Sequence, residues 1–282
     1  MRTSNRPFGA TRIGILHWTA CAAAWGLAIL PASVYAELTH RYSFKDDNAN
    51  DAVGKIHGKL EGNAKVADGA LTLDNSSKTS DDESLSYLSF DKRILPDKGS
   101  ATIEVWLTSK TEGPYARIFD FGERGQGYLF LTISDAGNDV ARTAITNNDF
   151  GEESTVTTDN GTARGVNDGK PHMVAVVIDD KSGNLKLFVD GKEIEPAQPL
   201  NENSLEKITG ANHWLGRSLY DTDAGFTGSI DELRVFNSAL TADEISAHHK
   251  AGADVVEAKP TSPQEAPKEA PKEAPKASEA KP

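Results

Sequence analysis

The chain has 282 residues, of which 30 are Lys or Arg and 42 are Asp or Glu, so its formal net charge is −12. Hydrophobic residues make up 38% of it, which suffices for one large core and excludes a wholly disordered protein. Cys21 is the only cysteine, and only the first thirty-odd residues hold a long apolar run. A disulfide framework, a four-cysteine zinc site and a multi-span membrane protein are therefore excluded.

Residues 1–36 have the pattern of a cleaved secretory signal. Arg2, Arg6 and Arg12 precede an apolar stretch over 13–30, and Val34 and Ala36 supply the small residues expected before a cleavage site. We predict cleavage after Ala36. The alternative is an uncleaved anchor, because the apolar run is only just long enough to span a bilayer. Both interpretations place the rest of the protein outside the cytoplasm, in the periplasm, in the cell envelope or in the medium.

Between residues 37 and 254, glycines and Asn/Asp turns divide the chain into short β-rich runs. The alternation of Ile103, Val105 and Leu107 with polar or bulky neighbours indicates a strand with one apolar face. Eleven or more such runs without alternating helices predict an all-β fold, a two-sheet antiparallel sandwich. The predicted strands are 38–44, 70–74, 87–90, 101–109, 116–121, 128–134, 140–146, 172–179, 185–189, 213–217 and 226–236.

Two local signals add detail to this sandwich. Asp190 and Gly191 form the pair that a tight hairpin turn requires, because both tolerate a positive φ. Thr241 and Glu244 form a capping box, which predicts one short helix that ends near Gly252.

The final segment, 255–282, repeats Glu-Ala-Pro-Lys at 265–268, 269–272 and 273–276. A proline at every fourth position forbids a continuous helix, and the repeats offer nothing apolar to bury, so we predict a disordered, extended tail. The body at 37–254 holds 22 basic and 37 acidic residues. Such a body repels polyanions, which excludes nucleic acid as a partner. A membrane contact is expected only through an uncleaved signal anchor.

Three stretches of the body resemble laminin G-like jelly-roll domains of the concanavalin A-like lectin/glucanase superfamily. They are 40–44 with 51–54, 169–176 with 187–191, and 225–236, which together frame nearly all of 37–250. The resemblance implies a jelly roll of two packed, curved sheets over 37–254. It leaves function open, because lectins, carbohydrate-binding modules, adhesive domains and glycosidases share this fold.

No catalytic residue is predicted. Glucanases of the superfamily carry carboxylates at alternate positions of one strand, as E-x-D-x-E, but here Ser229 and Leu233 occupy the outer positions. Asp231 and Glu232 are neighbours, so on a regular strand their side chains leave opposite faces. A glycosidase therefore remains an alternative that requires paired carboxylates across a cleft.

The resemblance also implies a structural calcium ion near the rim of the sandwich, because members of the superfamily often bind one. Asp51 and Asp231 match places that supply carboxylates to it. Asp221 and Asp223 are a competing pair, since their alternate spacing aims two oxygens one way. Turn capping is the alternative role for Asp51, and pairing with an arginine or a backbone amide is the alternative for Asp231.

Sugar recognition requires exposed aromatic faces with polar companions. Tyr115, Phe150 and Tyr220 lie in predicted loops, and Asn148 offers an amide beside Phe150. Trp106 and Trp214 lie in apolar strands and are expected in the core.

We therefore predict an exported, non-catalytic binding module for a neutral glycan or a cell-surface partner, and the resemblance implies calcium as its structural ion. The alternative is a structural or protein-docking module of the cell envelope, and a glycoside hydrolase is the third hypothesis.

Overall fold

A computed structural model describes residues 36–136, 138–149, 151–158 and 165–256. Most of the predicted signal segment, Phe150 and the repeats of the tail lie outside these residues. The one α-helix in this part of the chain is α1 (Ala242–Ala251), and a 3₁₀ turn covers Leu205–Lys207. The strands are β1 (Leu38–Tyr42), β2 (Gly58–Glu61), β3 (Lys65–Ala67), β4 (Ala70–Leu73), β5 (Tyr87–Phe90), β6 (Ala101–Ser109), β7 (Arg117–Glu123), β8 (Gly127–Asp135), β9 (Asn138–Thr146), β10 (Ser154–Thr157), β11 (Pro171–Asp179), β12 (Asn184–Val189), β13 (Lys192–Pro199), β14 (Asn212–Leu215) and β15 (Gly228–Phe236).

These strands form two antiparallel sheets. The eight-stranded sheet runs in the order β13-β12-β11-β6-β15-β4-β3, with β1 paired to β15. The seven-stranded sheet runs in the order β10-β9-β8-β7-β14-β5-β2. Neighbouring strands are often far apart in sequence, which is the connectivity of a jelly roll. The predicted all-β sandwich is confirmed.

The core lies between the inner faces of the two sheets. In β6, Ile103, Val105 and Leu107 are fully buried in it, as their alternation predicts. Trp106 points to the other face of that sheet, where it is buried in a separate cluster with Phe236 and Ile245. The outer face of the eight-stranded sheet is therefore covered, by α1 and the chain beside it, whereas the outer face of the seven-stranded sheet carries the polar groove described below.

The predicted turn and cap are both present. Asp190 and Gly191 have φ angles of 50° and 72°, as the tight turn between β12 and β13 requires. Thr241 caps α1: its side chain accepts a hydrogen bond from the backbone N–H of Glu244, whose carboxylate accepts one from the backbone N–H of Thr241. No helix in the described residues is long and apolar enough to cross a membrane.

Asp231 interrupts the regular alternation of β15. The register skips it, since Ile230 pairs with Leu107 and Glu232 pairs with Trp106 on β6. Asp231 is thus the extra residue of a β-bulge, and the opposite-face argument for Asp231 and Glu232 does not apply as stated. Glu232 is instead held by its partners: its carboxylate accepts hydrogen bonds from Nε of Arg41 (2.6 Å) and of Arg234 (2.8 Å).

Candidate ligand-binding groove

The outer face of the seven-stranded sheet carries a groove of about 470 Å³ over β7 to β10. The strand register explains which side chains line it, because residues paired across antiparallel strands project on the same face. One row crosses the sheet as Arg117, Thr132, Arg142 and Thr157. The lining residues are Tyr115, Arg117, Asp135, Arg142, Glu153, Thr155, Thr157, Tyr220 and Asp223.

Phe130 is the aromatic side chain between the two arginines of the groove. The guanidinium carbon of Arg117 lies 3.8 Å from the centroid of its ring, and that of Arg142 lies 5.3 Å away. A cation over an aromatic face is attracted by the negative charge of the π system, and more strongly where water is excluded. Both guanidinium groups are thereby held in position before any ligand arrives.

Arg117 is buried and paired with two carboxylates. Its Nε lies 3.4 Å from Oδ2 of Asp120, and its Nη2 lies 3.2 Å from Oδ2 of Asp223. The hydroxyl of Ser218 also donates to Asp223, at 2.6 Å. Burial raises the pKa of Asp120 to about 7 against the opposing effect of Arg117, and burial raises the pKa of Asp223 in the same way.

Arg142 makes the second charged cluster of the groove. Its Nη2 lies 2.5 Å from Oε2 of Glu153, and its Nη1 lies 3.6 Å from Oδ1 of Asp135. The hydroxyl of Tyr128 donates to the other oxygen of Glu153 at 2.7 Å. Glu153 is thus fixed from two sides, while Asp135 keeps 37% of its side-chain surface exposed.

Tyr220 forms one wall through a chain of hydroxyl contacts. Its hydroxyl donates to Oδ1 of Asp149 at 3.0 Å and lies 3.1 Å from the hydroxyl oxygen of Tyr128. The guanidinium of Arg124 lies 4.7 Å from its ring centroid. Burial is the largest cause that raises the pKa of the Tyr220 hydroxyl, so this hydroxyl stays protonated at neutral pH.

Tyr115 forms the rim and has an unusual backbone. Its φ is 61°, in the left-handed region that costs a residue with a side chain roughly 1–2 kcal/mol. Its backbone N–H donates to the carbonyl of Ser134 at 3.0 Å. The fold thus holds an aromatic side chain at the groove in a conformation that most residues avoid.

Sequence comparison supplies the family. A profile described as the concanavalin A-like lectin/glucanases superfamily, of laminin G type, matches residues 82–246, which is more than half of the chain. The chain belongs to this superfamily. No curated protein is significantly similar to it in sequence.

Solved structures confirm the jelly roll of the superfamily. Domain 4 of a GH43 extracellular arabinanase from Geobacillus stearothermophilus, in complex with arabinotriose, has a TM-score of 0.59 at 19% identity. The match covers 75% of this chain and 98% of that domain. The binding domain of botulinum neurotoxin serotype D/C also scores 0.59, at 13% identity, with 76% of this chain and 52% of that one covered. A structure of botulinum neurotoxin type C, reported for its interaction with two ganglioside molecules, scores 0.58 at 16% identity, with 77% and 51% covered. This chain thus spans about half the length of those toxin structures.

The superfamily contains both lectins and glucanases, so the carboxylates of the groove bear on catalysis. Asp135, Glu153 and Asp223 all line it. The sequence argument considered only carboxylates on one strand and missed this convergence, because these three come from a strand end and two loops. Each of them contacts an arginine: Asp223 contacts Arg117, whereas Asp135 and Glu153 contact Arg142. A guanidinium partner favours the ionised form and opposes the proton-carrying role of a general acid.

The predicted ligand-binding residues fall into three groups. Tyr115 and Tyr220 line the groove. Asn148 is not among the lining residues: it lies in the loop after β9, where its side-chain amide donates to Oε1 of Glu152 at 3.2 Å. Phe150 lies outside the described residues. Trp214, expected in the core, is instead half-buried on the outer face of the sheet, because β14 turns Leu215 rather than Trp214 inward.

The predicted calcium ligands do not converge in the described residues. The carboxylate of Asp51 accepts hydrogen bonds from the backbone N–H groups of Arg41, Val53 and Gly54, and its Oδ2 lies 2.6 Å from Nδ1 of His40. Burial raises the pKa of Asp51, but these bonds together outweigh burial and lower the pKa. The carboxylate is thus already engaged within the loop, and a calcium ion does not fit it as the loop stands. The role seen there is turn capping.

The remaining three aspartates are separate from Asp51 in their contacts. Asp231 is half-buried at the bulge, Asp221 is exposed, and Asp223 is buried against Arg117 and Ser218. Within the described part of the chain, no three His, Cys, Asp or Glu side chains form a group that would hold a metal ion. Calcium binding stays a prediction, with no ligand set in this part of the fold to support it.

Among the charged residues of the groove, sequence reasoning named only Asp223, and it named that one as a calcium ligand. Arg117, Arg142 and Glu153 were not candidates, although Arg117 and Arg142 each stand beside an apolar strand run. A charged residue beside an apolar strand run indicates a polar groove on a sheet face when another charged residue lies in register with it on a nearby strand. The pairing of strands is required to see it.

Proposed function

We propose that this protein is an exported, non-catalytic module that binds a neutral glycan in the groove of the seven-stranded sheet. The observation that carries the proposal is the lining: two arginines, three carboxylates, two threonines and two tyrosines around one cavity. A sugar hydroxyl donates one hydrogen bond and accepts others, so it is matched by guanidinium donors next to carboxylate acceptors. The two tyrosine rings supply apolar surface for the C–H faces of a sugar.

The charges of the groove favour a neutral ligand over an anionic one. Arg117 and Arg142 are each already paired with carboxylates that line the groove, and the body as a whole is strongly acidic. An acidic polysaccharide would find both arginines already paired and would be repelled by the negative charge of the body. Export is supported by the predicted signal segment, and the arabinanase whose domain shares the fold is itself described as extracellular.

Binding to a panel of immobilised glycans and insoluble polysaccharides tests this proposal. The full chain is compared with Thr157→Arg, which places a bulky side chain at an exposed position of the groove. The matched control is Thr72→Arg, at an exposed threonine of β4 on the other sheet. We expect the protein and its control to bind at least one neutral glycan and Thr157→Arg to lose that binding. Binding that survives Thr157→Arg would contradict the groove as the site, and binding to no neutral glycan would contradict the function.

A glycoside hydrolase is the second candidate, and the three carboxylates of the groove favour it. Burial raises the pKa of Asp223, as is required of a group that must carry a proton at neutral pH. Release of reducing ends from the bound polysaccharide distinguishes the two functions. We expect none. Release that disappears in both Glu153→Gln and Asp223→Asn would establish the hydrolase instead.

A further inference from the structure

A second aromatic cluster lies on the same face of the seven-stranded sheet as the groove. We call Tyr87, Trp214 and Arg217 the platform. The register pairs Trp214 with Asp120 of β7, and Asp120 with Phe130 of β8. Because paired residues project on one face, Trp214 belongs to the same row of side chains as Phe130, the buried ring under the two arginines of the groove. The two rings of the platform thus lie on β5 and β14, next to the strands β7 to β10 that carry the groove.

The three side chains of the platform contact one another. The rings of Trp214 and Tyr87 lie 6.0 Å apart at 71°, an edge-to-face arrangement. The guanidinium carbon of Arg217 lies 4.5 Å from the ring centroid of Trp214 and 4.9 Å from that of Tyr87, and its Nη1 donates to the Tyr87 hydroxyl at 3.0 Å. Both side chains are half-buried and keep part of their surface exposed. In the described residues, Arg217 forms no ion pair with a carboxylate, and its Nε is buried without a hydrogen-bond partner. Its place is thus set by the two rings.

One loop, residues 216–223, contributes to both surfaces. Its Arg217 belongs to the platform and its Tyr220 lines the groove. Between them, the backbone N–H of Leu219 donates to Oδ2 of Asp120 at 3.0 Å, so the loop crosses the sheet above β7. Trp214 on β14 is four strands from Thr157 on β10, and strands lie about 4.8 Å apart, so these two positions are roughly 19 Å apart. A polymer bound at Thr157 is long enough to touch Trp214 as well, whereas a trisaccharide bound there is not.

We propose that the platform is a second contact for the same glycan, which packs one sugar against Trp214 and Tyr87 while the groove holds another. This inference rests on the proposed function. The C–H faces of a sugar ring carry partial positive charge and pack on the negative face of an aromatic ring. The charge of Arg217 acts on Glu61, but in the described residues Arg217 forms no ion pair with a carboxylate, so its Nη2 can donate to the hydroxyls of the same sugar unit. The protein then prefers long chains to short ones.

Chain-length dependence of binding tests the platform. The full chain, Trp214→Ala, Tyr87→Ala and the groove variant Thr157→Arg are each measured against arabinan and arabinotriose. Parallel series use xylan, mannan and β-glucan with their trisaccharides. For the polymer that the unmodified protein binds, we expect Trp214→Ala and Tyr87→Ala to weaken binding about two- to tenfold. Their binding to the trisaccharide should stay within twofold, and Thr157→Arg should lose both.

Two results would overturn the platform while the proposed function stands: polymer binding unchanged in both platform variants, or trisaccharide binding weakened as much as polymer binding. Thermal unfolding of the two platform variants identifies one that fails to fold, and the other then decides the question. If the unmodified protein binds none of these polymers, the platform and the proposed function are overturned together. Failure of the platform alone is therefore distinguishable from failure of the proposed function.

Discussion

Nδ1 of His248 lies 2.7 Å from Oε1 of Glu104, and this contact joins helix α1 to the outer face of the eight-stranded sheet. Glu104 is fully buried, and burial raises its pKa against the opposing effects of His248 and Arg234. The ring of His248 also stacks on Phe236, with centroids 5.7 Å apart. The packing of α1 on the eight-stranded sheet thus includes a buried carboxyl group, that of Glu104, whose burial is compensated by its contact with His248.

Replacing His248 should therefore destabilise the protein. In His248→Ala, Glu104 loses its closest partner while remaining buried, and we expect unfolding to become easier by about 2–4 kcal/mol. Urea-induced unfolding measures the change. The control is His249→Ala, which removes the neighbouring histidine, 39% exposed and 3.9 Å from Asp190, and should cost less than about 1 kcal/mol. Equal losses in the two variants would contradict the role of the Glu104 contact.

His213 should make the fold sensitive to acid. It is fully buried, its two ring nitrogens have no hydrogen-bond partner among the described residues, and burial lowers its pKa to about 3. In the unfolded chain its pKa is about 6.5, so below that pH the unfolded state takes up a proton that the folded state refuses. Stability present above pH 6.5 is therefore lost as the pH falls, by roughly 1.4 kcal/mol per pH unit from this group.

The variant that isolates this effect is His213→Phe, whose ring can keep the stacking on Phe121, 5.0 Å away. Urea-induced unfolding of both proteins at pH 7 and pH 4.5 gives the comparison. We expect the loss between the two pH values to be smaller in His213→Phe by roughly 2–3 kcal/mol. An equal loss in both proteins would assign the acid sensitivity to other groups.

Tyr115 allows binding to be separated from stability. Asparagine tolerates the left-handed conformation better than tyrosine does, so Tyr115→Asn keeps the turn and removes the ring from the groove. We expect an unfolding free energy within about 0.5 kcal/mol of the original. Glycan affinity should fall several-fold, as measured by affinity electrophoresis. Unchanged affinity would show that the ring does not touch the ligand.

Local patterns of the sequence predict much of the fold. The alternation around Val105 predicted β6 to the residue, and the Asp190-Gly191 and Thr241–Glu244 signals predicted a turn and a helix start. The strands that were missed, β2, β3, β10 and β13, are short or rich in polar residues and intermediate or exposed along much of their length. Their strand conformation comes from hydrogen bonds to neighbours rather than from their own composition, so a local pattern does not reveal them.

The groove depends on long-range pairing still more than the edge strands do. Tyr115 and Tyr220 were recognisable because aromatic residues in loops are unusual enough to be noticed. Arg117 and Arg142 meet across Phe130 only because β7, β8 and β9 pair in one register. The bulge at Asp231 was likewise invisible, since nothing in the residues of β15 predicts that the register skips one position.

The central claim is that the seven-stranded sheet binds a neutral glycan through its groove without cleaving it. Affinity electrophoresis in gels that contain neutral polysaccharide tests it most directly, with the full chain, Thr157→Arg and Thr72→Arg run side by side. The account predicts that the full chain and Thr72→Arg are retarded to the same extent, that Thr157→Arg migrates freely, and that the polysaccharide stays intact. Equal retardation of all three proteins, or none in any neutral polysaccharide, would contradict it.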